Sequence, residues 1–293
     1  MFKGSNVALI TPFKNNGLDE DAYIKLIHFH IDNGTSGLVP AGTTGESPTL
    51  SHTEHERVID LCIKESNGKI PVIAGTGSNS TEEAISLTSH AEKAGANGAL
   101  IVTPYYNKPT QEGLYQHYKA INDKCGIPII IYNIPGRSVI DMSVETMARL
   151  YELKNIIGVK DATGDLARVN QTLEKLGKDF LQLTGNDDNA FEFNKRGGKG
   201  AISVTANIAP KLCSDFQKLS LSKNNDELKE AENLNKILQP LHHAMFVESN
   251  PSPVKYAAKI LNLCDDDVRL PLVKVTDSTK EIVKKALHST KLI

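Results

Sequence analysis

Apolar residues along this chain fall into short continuous runs separated by longer amphipathic stretches. The runs are NVALITP from Asn6, SGLVPAGTT from Ser36, IPVIAGTG from Ile70, GALIVTPYY from Gly98, IPIIIYNIP from Ile127, IIGVKDA from Ile156, FLQLTGND from Phe180 and GAISVTAN from Gly200. Runs this rich in β-branched residues, without polar alternation, predict strands buried on both faces, as in a parallel sheet covered by helices. The intervening stretches carry helical spacing, for example Leu87, Ala91 and Ala94. Eight such units close a (β/α)8 TIM barrel, assigned here to residues 1–222. Ser51 with Glu54, and Ser80 with Glu83, match the capping box at helix starts. Gly34, Gly68 and Gly95 sit where left-handed helix ends are wanted. From residue 223 to 293 the pattern is helical only, broken at Asn250-Pro-Ser-Pro253, which predicts a small C-terminal helical domain. The stretch from Glu248 to Pro253 reads as a turn without chemistry.

Composition adds exclusions. Hydrophobic residues make up 40% and charged residues 23%, with a formal net charge of −2, so no positive field argues for nucleic acid or an anionic membrane. No apolar run approaches the roughly 20 residues of a membrane span, and the N-terminal stretch lacks a signal peptide's flanks. Cys62, Cys125, Cys213 and Cys264 are widely spaced, which predicts reduced core residues and a cytoplasmic protein.

Active sites of such barrels lie at the C-terminal ends of the strands. Applied here, that rule gathers Gly42-Thr-Thr-Gly45 and Glu46, Tyr105 and Tyr106, Tyr132 and Arg137, Lys160 and Asp161, and Gly185 at one mouth. It sends the glycines around Lys199 to the opposite end, as a helix-ending turn. Lys160 alternates in phase with Gly158 and Ile156, so an inward-facing strand surface would bury its amine. Burial lowers a lysine's pKa, and a neutral amine attacks a ketone to form a Schiff base. Spacing alone leaves equal room for a lysine that reaches solvent or pairs with Asp161. Tyr132 suits proton shuttling or simple aromatic filling, and Arg137 suits a carboxylate clamp or an ordinary surface position. The Gly42–Gly45 loop offers amides and hydroxyls near a helix start, fit for a small carboxylate or for a plain turn; it lacks a P-loop lysine. All nine histidines fall in predicted helices, so no metal site is expected at the mouth.

Together, Gly42-Thr-Thr-Gly-Glu46, Tyr132-Asn-Ile-Pro and Gly158-Val-Lys160-Asp-Ala resemble the pyruvate-dependent class I aldolase superfamily of N-acetylneuraminate lyase and dihydrodipicolinate synthase, over essentially the whole chain. The Thr43-Thr44 pair and Arg137 resemble the synthase branch. That resemblance implies Lys160 as the Schiff-base residue, with Thr44, Tyr132 and Tyr106 as a proton relay and Tyr106 reaching a neighbouring subunit. It implies Arg137 holding the aldehyde, Thr43, Gly185 and Ile202 lining a pyruvate pocket, and no cofactor. It also implies condensation of pyruvate with L-aspartate 4-semialdehyde, on the route to lysine and diaminopimelate, by a homotetramer built as a dimer of dimers. Ser47, His52, His55, Asn79, Glu83 and Tyr105 match the positions at which sensitive members bind L-lysine as an inhibitor. Two departures are visible: Asp161 stands where glutamate is common, and Pro48 where alanine is. The alternatives are a pyruvate aldolase for a sugar acid, against which Arg137 argues, and a silent keto-acid-binding barrel, against which intact Lys160, Tyr132 and Thr44 argue.

Overall fold

A computed structural model describes all 293 residues. The eight runs form parallel strands: β1 (Gly4–Ala8), β2 (Gly37–Val39), β3 (Ile73–Gly75), β4 (Gly98–Val102), β5 (Ile129–Asn133), β6 (Ile156–Asp161), β7 (Leu181–Thr184) and β8 (Gly200–Ser203). Their order in the sheet is β2-β1-β8-β7-β6-β5-β4-β3. A single bridge between Leu38 and Val72 joins the two outer strands, where Leu38 N donates to Pro71 O and Gly75 N donates to Pro40 O, both at 2.9 Å. The sheet thus closes on itself as the (β/α)8 barrel that eight alternating units predicted.

Continuous apolar runs are explained by two separate apolar layers. Inside the barrel, Ala8, Val39, Ile73, Leu100, Ile130, Leu183 and Ile202 pack together with Tyr132, while Phe2 packs against the same layer and under Gly98. Outside, Ile129, Ile131 and Val159 meet helix residues such as Leu114, Tyr118 and Met147. A residue buried on either face contributes about 1.5–3 kcal/mol, so a strand between two such layers gains from being apolar at every position. Seven strands supply a buried apolar side chain to the inner layer; β6 brings Gly158 and Lys160 inward and packs the half-buried Ile157 against it.

The Ser51 capping box forms in full at the start of helix His52–Ser66. Gly34, Gly68 and Gly95 all have positive φ, and Gly95 caps helix Thr81–Ala94. After helix Pro210–Ser220 come three more, Asn225–Ala244, Ser252–Ile260 and Asp277–Ser289. Their apolar face, with Leu238, Leu241, Val254, Ala257 and Leu287, belongs to the same cluster as Leu26, Ile59 and Phe216 of the barrel's outer shell. Helical periodicity overreached between residues 261 and 276, where the chain runs irregularly. A two-strand hairpin, Phe13–Lys14 with Gly17–Leu18, also lacked a sequence signal, because two-residue strands carry no periodicity. No helix is long and apolar enough to cross a membrane.

Candidate active site

Strand β6 carries Lys160 to the mouth, by a route that differs from simple alternation. Ile129 pairs with Ile156, but Ile130 pairs with Gly158, so Ile157 is an extra residue that reverses the phase of the strand. Ile156 consequently packs in the outer layer beside Ile129, whereas Gly158 and Lys160 align with the inward Ile130 and Tyr132. The inference that Lys160 shares a face with Ile156 is thereby corrected, while its inward position stands. Lys160 is only 5% exposed, and its ammonium nitrogen lies 4.1 Å from the centroid of the Tyr132 ring.

The alternative partner is occupied elsewhere. Asp161 accepts from Arg168 Nε at 3.0 Å and from the Thr163 amide at 2.9 Å, facing away from the amine that precedes it. Lys160 forms no ion pair with any residue of the chain, so a buried amine is left with an aromatic face as its neighbour. Gly185, just after β7, gives its stem room: a Cβ there would stand 3.0 Å from Lys160 Cε and 2.8 Å from Ala162 Cβ. Ile202 of β8 is fully buried in the inner layer. Asp187 binds the β7 end to the β8 end by accepting from the amides of Val204 and Thr205 at 2.9 and 3.0 Å.

The loop after β2 folds back on itself: the Glu46 amide donates to Thr43 O and the Ser47 amide to Gly42 O. Thr11 anchors it by donating to Gly45 O at 2.7 Å. A short 3-10 turn, Ser47–Thr49, separates this loop from the helix that starts at His52. The expected helix N-terminus is therefore not adjacent, and any anion held here relies on the loop itself and on side chains. Thr44 is 3% exposed and its hydroxyl oxygen accepts from Asn250 Nδ2 at 2.9 Å. Arg137, in the turn after β5, is exposed and donates to the Asn250 carbonyl at 3.4 Å.

A cleft of about 430 Å³ opens over this mouth. Its walls include Thr43, Tyr132 and Arg137, and equally Ser47, His52, His55, Glu83 and Tyr105. Lys160, Thr44, Gly185 and Ile202 lie outside that wall, and Tyr106 stands apart, 88% exposed with φ of 72°. Asn79 reaches the group indirectly, donating to Tyr105 O at 3.2 Å.

All nine histidines are helical, but His52 and His55 begin their helix and so face the cleft. His55 is buried, bonds Gly75 O through Nε2 at 2.9 Å and leaves Nδ1 without a partner; burial holds its pKa below the usual value. The second capping box forms only by half. Ser80 accepts from the Glu83 amide, yet the Glu83 carboxylate turns instead to the Ser78 hydroxyl and to His52 at 2.8 Å. Those bonds, Ser78 foremost, lower its pKa and keep it ionised on the cleft wall.

Sequence reasoning missed the contribution of residues 250–255. Asn250 touches Thr44 and Arg137, and five residues on, Lys255 forms a wholly buried ion pair with Glu46. Lys255 also donates to Asp267 O at 2.7 Å and stands 4.1 Å over the Phe13 ring. The only local signal was a pair of prolines breaking a helical stretch, which marks a turn but not what the turn touches.

A model of the dihydrodipicolinate synthetase family matches residues 1–290. A 4-hydroxy-tetrahydrodipicolinate synthase from Pelagibacter ubique (strain HTCC1062) is 81% identical over 293 residues, covering 100% of both chains. Among solved structures, the chloride-inhibited dihydrodipicolinate synthase of Acinetobacter baumannii complexed with pyruvate is 46% identical, with a TM-score of 0.97 and 100% of both chains covered. The enzyme of Cyanidioschyzon merolae with lysine bound is 35% identical, with a TM-score of 0.96, covering 100% of this chain and 99% of that one.

Proposed function

The chain belongs to the dihydrodipicolinate synthetase family, and from that premise we propose that it condenses pyruvate with L-aspartate 4-semialdehyde through a Schiff base on Lys160. The observation that carries the residue assignment is a buried amine with no carboxylate partner at the barrel mouth. Only an amine with a free lone pair can add to a ketone, so an ammonium proton leaves before attack. The amine nitrogen then adds to the pyruvate ketone carbon. Loss of water from the carbinolamine gives a protonated imine, which draws electrons from the methyl group. A methyl proton departs, the enamine carbon bonds to the aldehyde carbon, and the aldehyde oxygen takes up a proton. The second substrate's amine finally attacks the imine carbon, closing the ring and expelling Lys160, with 4-hydroxy-tetrahydrodipicolinate as product. Thr44, Tyr132 and Tyr106 carry the protons, Thr43, Gly185 and Ile202 border pyruvate, and Arg137 meets the aldehyde's carboxylate. Residues 1–222 are the catalytic barrel in this proposal and 223–293 a C-terminal helical domain; the enzyme works in the cytoplasm. Turnover with aspartate semialdehyde, and none with sugar-derived aldehydes, is the expected assay result; the reverse preference would overturn the substrate assignment.

Tyr106 fits a role outside its own subunit. A tyrosine held at positive φ costs on the order of 1–3 kcal/mol, and here the side chain gains no burial in return. In a homotetramer built as a dimer of dimers it would enter the neighbouring site. Mixing inactive Tyr106→Phe with inactive Lys160→Ala should then restore part of the activity, because a hybrid dimer holds one site with both residues. Hybrids that form but stay inactive would place Tyr106 elsewhere.

L-Lysine is the proposed inhibitor, held by Ser47, His52, His55, Asn79, Glu83 and Tyr105. Glu83 supplies an ionised carboxylate for an ammonium, and the lysine-bound relative from Cyanidioschyzon merolae supports the reading. Initial rates should fall as lysine rises, without simple competition against pyruvate. Glu83→Ala should raise the inhibitory lysine concentration at least about tenfold, the equivalent of 1.4 kcal/mol. A flat response to millimolar lysine would reject the site. Glu83 is the cleaner probe, since truncating His55 also removes its core bond to Gly75 O.

A further inference from the structure

We propose that Asn250 is a positioning residue, one that orients the Thr44 hydroxyl and so makes the C-terminal segment part of the proton-transfer apparatus. The inference rests on the Schiff-base assignment above. Asn250 is 5% exposed, and its Nδ2 donates to Thr44 Oγ1 at 2.9 Å within the buried interior. A threonine hydroxyl has one proton to give and two lone pairs to offer. With the amide filling one lone pair, the Thr44 proton has to point away from Asn250. An amide also neither gains nor loses a proton near neutral pH, so it fixes the direction of transfer without competing for the proton. Its Oδ1 is buried and accepts from no group of the chain. The backbone carbonyl of the same residue accepts from Arg137, so one residue braces both a relay hydroxyl and the candidate aldehyde clamp. Side-chain substitution leaves that carbonyl in place and isolates the Thr44 link.

The test is a double-mutant cycle read in kcat. Asn250→Ala should lower kcat about tenfold to a hundredfold, a part of the 10²–10⁴ that positioned acid–base groups supply. In a Thr44→Val background the same change should cost less than about twofold, since there is no hydroxyl left to orient. Borohydride should still trap pyruvate on Lys160 in Asn250→Ala. Melting curves report whether each variant folds; should the alanine variant fail, Asn250→Ser, which keeps a small polar group but falls short of Thr44, runs the same cycle. Unchanged kcat, or effects that multiply in full across the cycle, would overturn the inference. Absence of trapping on Lys160 in the parent enzyme would instead overturn the Schiff-base assignment itself, so the two failures are told apart.

Discussion

Lys160→Ala is expected to abolish capture of pyruvate by borohydride and to lower turnover by roughly three orders of magnitude or more, because the nucleophile itself is gone. Lys160→Arg should do the same while keeping the positive charge, since a guanidinium stays protonated and cannot add to a ketone. That pair of variants separates nucleophilic catalysis from a merely electrostatic role. The prediction discriminates because a second buried lysine exists. Lys255 is fully enclosed, and its burial pushes its pKa below the usual lysine range against the opposing pull of Glu46. Lowered basicity alone would select Lys255. Freedom from partners selects Lys160, which has no ion pair, whereas the Lys255 ammonium is held by Glu46, Asp267 O and the face of Phe13. Peptide mass spectrometry after reduction should find the adduct on the peptide containing Lys160. An adduct on Lys255, or normal trapping by Lys160→Ala, would refute the assignment.

Lys255→Met is expected to destabilise the protein by about 3–5 kcal/mol, the usual consequence of leaving one buried charge without its partner. Glu46 would keep only the Arg269 amide, at 3.0 Å, as a donor. Replacing both partners by apolar residues, Glu46→Leu with Lys255→Met, should recover much of that loss, because neither charge then needs water. The melting temperature should fall by on the order of ten degrees in the single variant and by much less in the double one. Equal losses in both would mean that packing around the pair, and not its charge, holds this corner together. Neighbouring contacts join the same corner: Arg269 donates to Glu54 through two bonds, at 2.5 and 2.7 Å, and lies 4.2 Å over the same Phe13 ring.

The barrel was legible because eight apolar runs with amphipathic spacers have few other ways to bury both faces of every strand. The position of Lys160, Tyr132 and Thr44 after their strands was legible because such a barrel gathers its strand ends at one mouth. Phase was not: one extra residue, Ile157, moved Ile156 outward, and alternation counted along one strand cannot see a register shift set by its neighbour. Glu83 showed the same limit from another side, since its spacing satisfied a capping box while Ser78 and His52 competed for its carboxylate. Asn250, Lys255 and Arg269 escaped altogether. The partners Thr44, Glu46 and Glu54 lie more than two hundred positions away, and nothing in a local pattern distinguishes an asparagine in a turn from one aimed at a threonine across the molecule.

That separation has a consequence for how the enzyme comes into being. Thr44 leaves the ribosome 206 residues before Asn250, and Glu46 209 before Lys255. At about 5–20 residues per second, roughly 10–40 s of synthesis divide the two halves of each contact. Through that interval the Glu46 carboxylate is without Lys255 and the Thr44 hydroxyl without Asn250. Both contacts therefore close late, once the turn at Asn250 has been made and folds back over the mouth.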